Sequence, residues 1–320
     1  MTVSGKFIDH LEKNQLNNKT KNLGFQVEAQ HLLRHEYFNS VLGGGVYQFD
    51  RTRSRVGRKE LSDSIDRENV YLYTNINYID NLNVTLGLSY DSFGSTITGK
   101  RQDKVNPKFG VQWNLLDNLR LRAAWFEATK SYLVVQQTIE PTQVAGFNQF
   151  FDDTNGTSAR RMGIGLDYHA TQTLYAGIEA SKRELQTEAS IKLGTEYLYR
   201  SYLYWTPHPH WAVKGEFQFE QYKRAYKSTL TRSKDPIRIH TLSAPISVEY
   251  FHPSGLFSGI TGTFVEQDLT RKDDLGKERN PQTTNSGIDA FFLLDAVLGY
   301  RLPNRRGILS LEGRNLLDKS

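Results

Sequence analysis

The sequence predicts an all-β fold, an antiparallel up-and-down transmembrane β-barrel of about 14–16 strands. Three observations support this fold class. Polar and apolar residues alternate over long segments, short and long connections alternate between these segments, and aromatic residues lie beside the short connections. A period of two residues is typical of a strand with one polar and one apolar face.

The alternation is clearest over residues 81–92. Apolar side chains occupy the even positions from Leu82 to Tyr90, whereas Asn83, Thr85 and Ser89 belong to the odd, polar positions. Helical periodicity fits none of the similar segments well. Fourteen segments share the pattern: residues 22–33, 37–50, 67–78, 82–94, 104–114, 119–128, 158–169, 173–184, 194–205, 211–224, 237–251, 255–270, 287–302 and 307–316. Residues 2–11 form a further candidate strand.

Two places interrupt the pattern. Pro245 lies inside segment 237–251 and has no N–H for a ladder hydrogen bond, so the strand is expected to begin after Pro245 or to carry a bulge there. The three glycines at 43–45 lack the spacing of a phosphate loop and are not followed by Lys and Ser or Thr. A bend or bulge in the strand is the expected interpretation of this run.

The connections alternate in length along the chain. Short turns, such as residues 79–81, join segments in pairs, and longer polar loops separate the pairs. The long loops are residues 51–66, 95–103, 129–157, 185–193, 225–236 and 271–286. Bacterial outer-membrane barrels have short periplasmic turns and longer external loops. The alternation therefore predicts the bacterial outer membrane as the location and also predicts the orientation of the barrel.

Aromatic residues mark the ends of the segments. Trp113, Trp205, Trp211 and Tyr300 all lie within a few residues of short turns. Amphipathic rings prefer the membrane–water interface, and transmembrane barrels carry an aromatic girdle there. The general preference of aromatic residues for strands explains part of this enrichment, but not the clustering at the turns.

The composition fits a barrel and restricts the alternatives. The 320 residues have a mean hydropathy of −0.56 and include no Cys. No stretch approaches the ~20 consecutive apolar residues of a membrane-spanning helix. Low hydropathy agrees with a barrel because only alternate residues face lipid. The net charge of +5 comes from interspersed acidic and basic residues without a basic stripe, so no nucleic-acid partner is expected.

The N-terminal residues lack the apolar core of a secretory signal peptide. An outer-membrane protein requires such a peptide. We therefore expect residues 1–320 to be a single outer-membrane β-barrel domain, a fragment of a longer protein, with no plug domain and no signal peptide.

The C-terminal residues resemble a known family. Residues 294–302 alternate, and after a turn the chain reads Asn315-Leu316-Leu317-Asp318-Lys319. This is similar to the Asn-Leu-Phe-Asp-Lys type of motif near the end of TonB-dependent receptor barrels, with Leu317 in place of the usual aromatic residue. One further strand follows in that family. The resemblance therefore implies that the last strand is missing and that the complete count is about sixteen, an even number.

A second stretch, residues 140–153, resembles a receptor-type loop of porin-like barrels that are fused behind tetratricopeptide repeats. Together, the two resemblances imply the C-terminal barrel region of a TonB-dependent receptor-like or porin-like outer-membrane protein. One form of this implied protein is the barrel of a tetratricopeptide-repeat fusion. No plug domain or TonB box is recognisable, so the resemblance does not imply active import.

The polar strand faces are the predicted functional surface. If the apolar faces contact lipid, the polar faces point into the lumen, where charges of mixed sign suit a water-filled channel. The lumen-facing candidates are Lys108, Gln112, Arg120, Arg122, Lys214, Glu216, Gln218, Glu220 and Arg301. Solvation of the interior without a specific role is the alternative for this set.

The longest loop, residues 129–157, supplies the ligand candidates. Long loops without helical periodicity are often functional. This loop is expected either to fold inward as a constriction or to gather ligand outside. Its candidate residues are Phe147, Phe150, Phe151, Asp152 and Asp153.

No catalytic set, metal site or cofactor is predicted. A solvated turn explains His208 and His210 better than a metal site does. An enzyme that uses the barrel as a scaffold would need a Ser/His/Asp-like set at the strand ends, and no such set can be assembled.

The sequence thus predicts a non-enzymatic outer-membrane barrel for passage of a solute or ligand, porin-like or TonB-dependent receptor-like. The first alternative is the barrel of a polysaccharide- or protein-export system behind periplasmic helical repeats. The second alternative is a soluble all-β binding protein. The expected partners are outer-membrane lipid, the barrel-assembly machinery and a periplasmic energy-coupling or repeat-containing protein.

Overall fold

The structure, a computed structural model, is almost entirely β. It describes residues 2–13, 18–55, 60–95, 100–130, 138–149, 153, 156–186, 192–225, 236–271 and 287–318. Within these residues there is no α-helix, and Pro303–Arg305 forms a single 3-10 turn. The strands are β1 (Thr2–Lys13), β2 (Asn18–Arg34), β3 (Phe38–Arg55), β4 (Leu61–Ile79), β5 (Leu82–Ser95), β6 (Lys100–Leu116), β7 (Leu119–Thr129), β8 (Gln143–Val144), β9 (Phe147–Asn148), β10 (Ser158–Thr171), β11 (Leu174–Gln186), β12 (Lys192–His208), β13 (Trp211–Arg224), β14 (Pro236–Phe251), β15 (Leu256–Arg271), β16 (Ile288–Arg301) and β17 (Ile308–Gly313).

Fifteen of these strands form one sheet, in which the strand order follows the chain. The two short strands β8 and β9 form a separate hairpin. All fourteen predicted segments, and the further candidate at residues 2–11, correspond to strands of the large sheet. The predicted antiparallel, up-and-down, all-β fold class is confirmed.

Several strands are longer than predicted, chiefly at the ends that meet the long loops. β3 continues to Arg55 and β4 already begins at Leu61, so most of the predicted loop 51–66 is strand. Here polar and charged residues such as Asp66 occupy the face that is apolar farther along β4. The polar–apolar alternation therefore ends before the ladder of antiparallel hydrogen bonds does. The sequence pattern thus underestimates the length of the strand.

Pro245 neither begins β14 nor lies in a bulge, so both expectations for this residue are wrong. Pairing of β14 with β15 passes through Pro245↔Thr263 without a shift in register. Towards β13, the pairing is interrupted between Gly215↔Ile246 and Gln218↔Ser243, and the register is the same on both sides of the interruption. The strand thus tolerates the missing N–H by a local loss of pairing on one side.

The glycines at 43–45 also keep the strand register, so the run forms no bulge. They instead make room for bulky side chains of the neighbouring strands. A Cβ atom on Gly43 would lie 2.5 Å from the ring of Tyr71, and one on Gly45 would lie 2.9 Å from Cγ of Glu28. The glycine run therefore allows Tyr71 and Glu28 to lie flat against β3.

The chain divides into two compact units. Unit 1 comprises Met1–Trp113, Ala123–Arg161 and Gln186–Ile191, and unit 2 comprises Asn114–Arg122, Met162–Leu185 and Lys192–Ser320.

Burial in unit 1 is inverted relative to that of a water-soluble protein. On β4, Arg67 is 3% exposed and Asn69 is also buried, whereas Val70 and Leu72, on the opposite side of the strand, are 51% and 46% exposed. The same inversion holds on β5, where Ser89 and Asp91 are buried and Leu88 is exposed. Exposed rows of aliphatic side chains of this kind are stable in hydrocarbon.

Unit 2 has the same inverted burial. Arg122 and Asp167 are buried, whereas Ile164 and Ile178 are more than half exposed. Near the short turn between β12 and β13, the exposed Trp211 packs against Tyr250 with 4.8 Å between ring centroids. Among the described residues, no helix has the length and apolar character that a membrane crossing requires.

The exposed apolar face gives a direct test of membrane contact. Leu86 lies near the middle of the apolar row of β5, and Leu115 lies at the short-turn end of β6, on the same side of that strand as the exposed Phe109 and Trp113; both leucines are exposed. We expect Leu86→Arg to lower the free energy of unfolding in lipid vesicles by about 2–4 kcal/mol, and Leu115→Arg by about 0–1 kcal/mol. Denaturant titration measures both values. Equal losses at the two positions would contradict the assignment of this face to lipid.

Candidate functional site

The buried polar side chains of unit 1 lie together on one side of its strands. We call this set the unit-1 polar face. They are brought together because alternate residues of a strand point to the same side of a sheet. The face consists of Gln26, Glu28, Tyr47, Arg67, Asn69, Tyr73, Asp91, Asn106 and Lys108.

An ion pair between Arg67 and Asp91 lies on this face. Arg67 donates Nε to Oδ1 of Asp91 at 3.1 Å, and its Nη2 contacts the same oxygen. Asn106 donates Nδ2 to the other carboxylate oxygen at 2.8 Å. The Arg67 guanidinium also lies 4.5 Å from the ring centroid of Tyr47. Both charges are buried, so each depends on the other and on its hydrogen bonds.

Lys108 is the predicted lumen-facing residue that belongs to this face. Its Nζ donates to Oγ of Ser89 at 3.2 Å and to the carbonyl oxygen of Glu127 at 2.9 Å. The ammonium group lies 5.7 Å from the ring centroid of Tyr73. Gln112, a second candidate, lies on the same side of β6 as Lys108 and is half-buried.

Residues 138–149 form a compact segment that docks on the unit-1 polar face, and we call it the 138–149 hairpin. Strands β8 and β9 pair through Val144↔Phe147. Ala145 and Gly146 connect them with φ values of 47° and 83°. Two consecutive positive φ values are typical of the tight type I′ turn. The backbone N–H of Gln149 donates to the carbonyl oxygen of Thr142 at 3.0 Å and closes the base.

The tip of the hairpin is buried in an apolar contact. Val144, Ala145 and Phe147 belong to one cluster with Tyr71, Tyr73, Ala124, Phe126 and Ala128. Gly110 provides the space for this contact, since a Cβ atom there would lie 2.9 Å from side-chain atoms of both Val144 and Ala145. Phe147, a predicted ligand candidate, is 1% exposed and is used for this packing.

Among the described residues, no other loop candidate belongs to this cluster. Phe150, Phe151 and Asp152 lie outside the described residues. Asp153 is described and is partly exposed.

Glu28 is the main acceptor for the base of the hairpin. Tyr47 donates its hydroxyl to Oε1 of Glu28 at 2.7 Å, and Gln26 donates Nε2 to Oε2 at 2.9 Å. These two hydrogen bonds orient the Glu28 carboxylate independently of the hairpin. Thr138 donates its hydroxyl to Oε1, and the backbone N–H of Ile139 donates to Oε2 at 3.3 Å.

The peptide group of Ile139 is bound on both sides by β2. Its N–H donates to Glu28, and its carbonyl oxygen accepts from Nε2 of Gln30 at 2.8 Å. Glu28 and Gln30 are two residues apart on one strand, so their side chains point the same way. They thereby satisfy a backbone donor and a backbone acceptor, as a neighbouring strand would.

Glu140 is the fully buried carboxyl group of the hairpin. Tyr73 donates its hydroxyl to Oε1 at 2.7 Å, and Asn69 donates Nδ2 to Oε2 at 3.3 Å. Gln149 in turn donates Nε2 to the Tyr73 hydroxyl at 2.9 Å. Burial raises the pKa of the Glu140 carboxyl, and the charge of Asp91 raises it further. Lys108 and Arg67 act in the opposite direction without reversing the shift.

Arg161, at the start of β10, holds the second arm of the hairpin. Its Nη1 donates to the carbonyl oxygen of Asn148 at 2.8 Å, and its guanidinium lies 5.5 Å from the Phe147 ring centroid.

Unit 2 has its own buried polar cluster around Arg122, another predicted lumen-facing residue. Arg122 donates Nε to Asp167 at 2.7 Å and Nη2 to the hydroxyl of Tyr202 at 3.1 Å. Glu179 accepts from Nη2 at 3.4 Å, and the Tyr202 hydroxyl donates to Asp167. A Cβ atom on Gly165 would lie 2.9 Å from Nη2, so this glycine makes room for the guanidinium.

The predicted candidates on β13 share one face, as their spacing requires. Glu216 pairs with Arg200 at 2.9 Å and accepts from the hydroxyl of Tyr204 at 2.6 Å. Lys214 pairs with Glu249 at 2.7 Å, and both are partly exposed.

Of the remaining candidates, Gln218 is half-buried, and Glu220, Arg120 and Arg301 are exposed. Gln218 donates to Glu220 at 2.6 Å, and Arg120 donates Nε to Asn114 at 2.8 Å. Arg301 lies 5.2 Å from the ring centroid of Phe251.

Sequence reasoning did not identify several residues of the unit-1 polar face. Arg67, Asn69 and Asp91 occupy the polar positions of predicted segments, so the same alternation could have found them. Glu28 and Glu140 are separated by more than a hundred residues, and nothing local links them. Among the described residues, no group of three or more His, Cys, Asp or Glu side chains is arranged to hold a metal ion.

Comparison with known proteins agrees with this geometry. Residues 4–159 match the family model for the TonB dependent receptor-like β-barrel. This match covers just under half of the chain. The predicted resemblance to the barrel of a TonB-dependent receptor-like protein is confirmed, together with the outer-membrane localisation. No curated protein matched the sequence.

Solved structures with the same fold are receptors and transporters. The FrpB iron transporter from Neisseria meningitidis has a TM-score of 0.63 at 16% identity, over 94% of this chain and 51% of that one. The ferric-catecholate import receptor Fiu from E. coli has a TM-score of 0.56 at 14% identity, over 95% and 51%. The ferric enterobactin receptor PfeA from Pseudomonas aeruginosa has a TM-score of 0.61 at 14% identity, over 94% and 49%. The chain spans about half the length of these proteins.

The buried ion pair of unit 1 should be far more costly to break than an exposed one. The side chains of Arg67 and Asp91 are 3% and 4% exposed, whereas those of Arg160 and Glu127 are 45% and 30% exposed. We expect Arg67→Met to cost about 3–5 kcal/mol of unfolding free energy because it leaves Asp91 buried without its partner. Adding Asp91→Asn should restore part of this loss. As the control, Glu127→Gln should cost about 0–1 kcal/mol.

The raised pKa of Glu140 predicts that docking of the hairpin depends on pH. A carboxyl group with a raised pKa in the docked state stabilises that state fully below its ordinary pKa, and this contribution is lost as the pH rises through the raised value. We expect amide exchange of residues 138–149, corrected for its intrinsic pH dependence, to show stronger protection at pH 5 than at pH 8. Glu140→Gln should flatten this profile. An unchanged pH dependence in the variant would contradict the role assigned to Glu140.

Proposed function

We propose that this barrel region conducts a solute across the outer membrane along its polar strand faces, and that the 138–149 hairpin constricts the route. The observation that carries the proposal is the docking of this hairpin on the unit-1 polar face, through Glu28, Gln30 and Tyr73. A segment held by buried polar contacts, on the side of the strands opposite the lipid-facing apolar rows, occupies the side on which a polar solute would travel.

The proposed class of function is transport without catalysis. The family is a receptor family, and the similar structures are named as an iron transporter, a ferric-catecholate import receptor and a ferric enterobactin receptor. For the whole protein we therefore propose import of a solute and coupling to a TonB-type periplasmic partner. We also propose that residues 1–320 form one barrel domain.

Several predicted lumen-facing residues support a polar route. Lys214, Glu216, Gln218 and Glu220 share one face of β13 and provide charges of both signs. Mixed charges solvate a water-filled passage without excluding ions of either sign. We therefore propose weak ion selectivity for the route.

The two alternatives make different predictions. The exposed apolar rows and the outer-membrane localisation disfavour a soluble all-β binding protein. The barrel of an export system would expose the same lipid-facing surface, and only the direction of transport separates it from an importer. Uptake of labelled solute into cells, compared with its release from them, makes that distinction.

Removal of the constriction tests the proposal. Residues 138–149 are replaced by a Gly-Ser linker, and single-channel conductance is measured in planar bilayers. We expect a conductance several times that of the intact chain, because the linker lacks the side chains that dock on the polar face. Gly110→Leu should have a smaller effect in the same direction, since its side chain would collide with Val144 and Ala145.

Gly215→Leu is the matched control for Gly110→Leu. A Cβ atom on Gly215 meets no atom within 4 Å, so this substitution should leave the conductance unchanged. Equal conductance of the intact chain and the linker variant would contradict the proposed role of the hairpin.

A further inference from the structure

The contacts of the 138–149 hairpin include backbone groups as well as side chains. Glu28 and Gln30 bind the N–H and the carbonyl oxygen of Ile139, and Arg161 binds the carbonyl oxygen of Asn148. Such contacts do not depend on the identity of the side chains at 139 and 148. A surface that binds backbone N–H and carbonyl groups in this way suits peptides of varied sequence.

One side chain of the hairpin is recognised specifically. The carboxyl group of Glu140 lies between the hydroxyl of Tyr73 and the amide of Asn69, at 2.7 and 3.3 Å. Tyr73 and Asn69 are two residues apart on β4, on the same side of the strand, and both are buried. The cleft therefore contains a subsite for a carboxyl side chain directly beside the backbone contacts to Ile139.

The apolar end of the cleft is also preformed. Tyr71, Tyr73 and Phe126 line the position of the hairpin tip, and Gly110 leaves the space that Val144 and Ala145 fill. Backbone contacts, a carboxyl subsite and an apolar pocket thus follow one another along the twelve residues of the segment.

We propose that the unit-1 polar face is a binding cleft for a peptide with a carboxyl side chain, and that the 138–149 hairpin occupies it as a tethered ligand. This inference rests on the proposed function, because it names the class of solute that the route admits. A tethered segment acts at a high effective concentration. A free peptide therefore competes poorly with the hairpin until the hairpin is displaced.

The test uses a fluorescent peptide with the sequence of residues 138–149. It is titrated, with anisotropy as the measurement, against the full chain in detergent and against the chain whose hairpin is replaced by a Gly-Ser linker. We expect saturable binding to the linker variant and binding at least tenfold weaker to the intact chain. A peptide with Glu140→Ala should bind the linker variant at least tenfold more weakly, and a scrambled peptide should not bind.

Variants of the cleft test its individual contacts. In the linker variant, Gln30→Ala removes the donor to the carbonyl oxygen of Ile139 and should weaken peptide binding several-fold. Gln267→Ala is the matched control, since Gln267 belongs to unit 2 and donates Nε2 to the hydroxyl of Thr241 at 3.2 Å. It should leave peptide affinity unchanged.

Heat-modifiable mobility on detergent gels shows whether each variant folds. If the linker variant does not fold, the same titration on the chain with Glu140→Ala decides: its hairpin loses the contacts of the carboxyl group with Tyr73 and Asn69 while the cleft is unchanged, so the peptide should bind more strongly than to the intact chain. Absence of peptide binding, or equal binding of the scrambled peptide, would overturn the inference. Raised conductance without peptide binding would overturn only the peptide cleft, whereas peptide binding without conductance would overturn only the proposed passage.

Discussion

A backbone that crosses hydrocarbon must satisfy its N–H and C=O groups within the protein, because lipid offers neither donors nor acceptors. The antiparallel sheet meets this constraint by pairing strands that are neighbours in sequence. At Pro245, which lacks an N–H group, the strand keeps its register and loses pairing only towards β13. With the backbone satisfied in this way, the side chains on the lipid side are free to be apolar and exposed.

The opposite side of the strands must then stabilise buried polar groups. In unit 1 this is achieved by connected hydrogen bonds around the Arg67–Asp91 pair, and in unit 2 by those around Arg122 and Asp167. Networks of this type specify the orientation of each side chain more strictly than apolar packing does, because a missing partner leaves a costly buried charge. The same network that stabilises unit 1 also provides the groups that bind the hairpin.

Features that depend on neighbouring residues could be predicted from the sequence, whereas contacts between residues far apart in the chain could not. Period-two alternation located every strand of the large sheet, because on these segments one face is apolar and the other polar. It failed where both faces are polar, as at the start of β4 around Asp66, and it could not reveal strands of two residues such as β8. The stretch 140–153, which resembles a receptor loop, includes most of the segment that docks on the unit-1 polar face. The contact of Glu140 with Tyr73 and Asn69 depends on tertiary structure, and no local pattern encodes it.

The conformation of Ala145 has a consequence for the stability of the docked hairpin. A residue with a Cβ atom in the left-handed region costs roughly 1–2 kcal/mol, and Ala145 adopts φ 47° with its methyl group close to Gly110. Glycine or asparagine would make the same turn at less cost. The strain of this turn therefore offsets part of the stabilisation that the contacts of Val144 and Phe147 provide, and the hairpin is less stable than its contacts alone would make it.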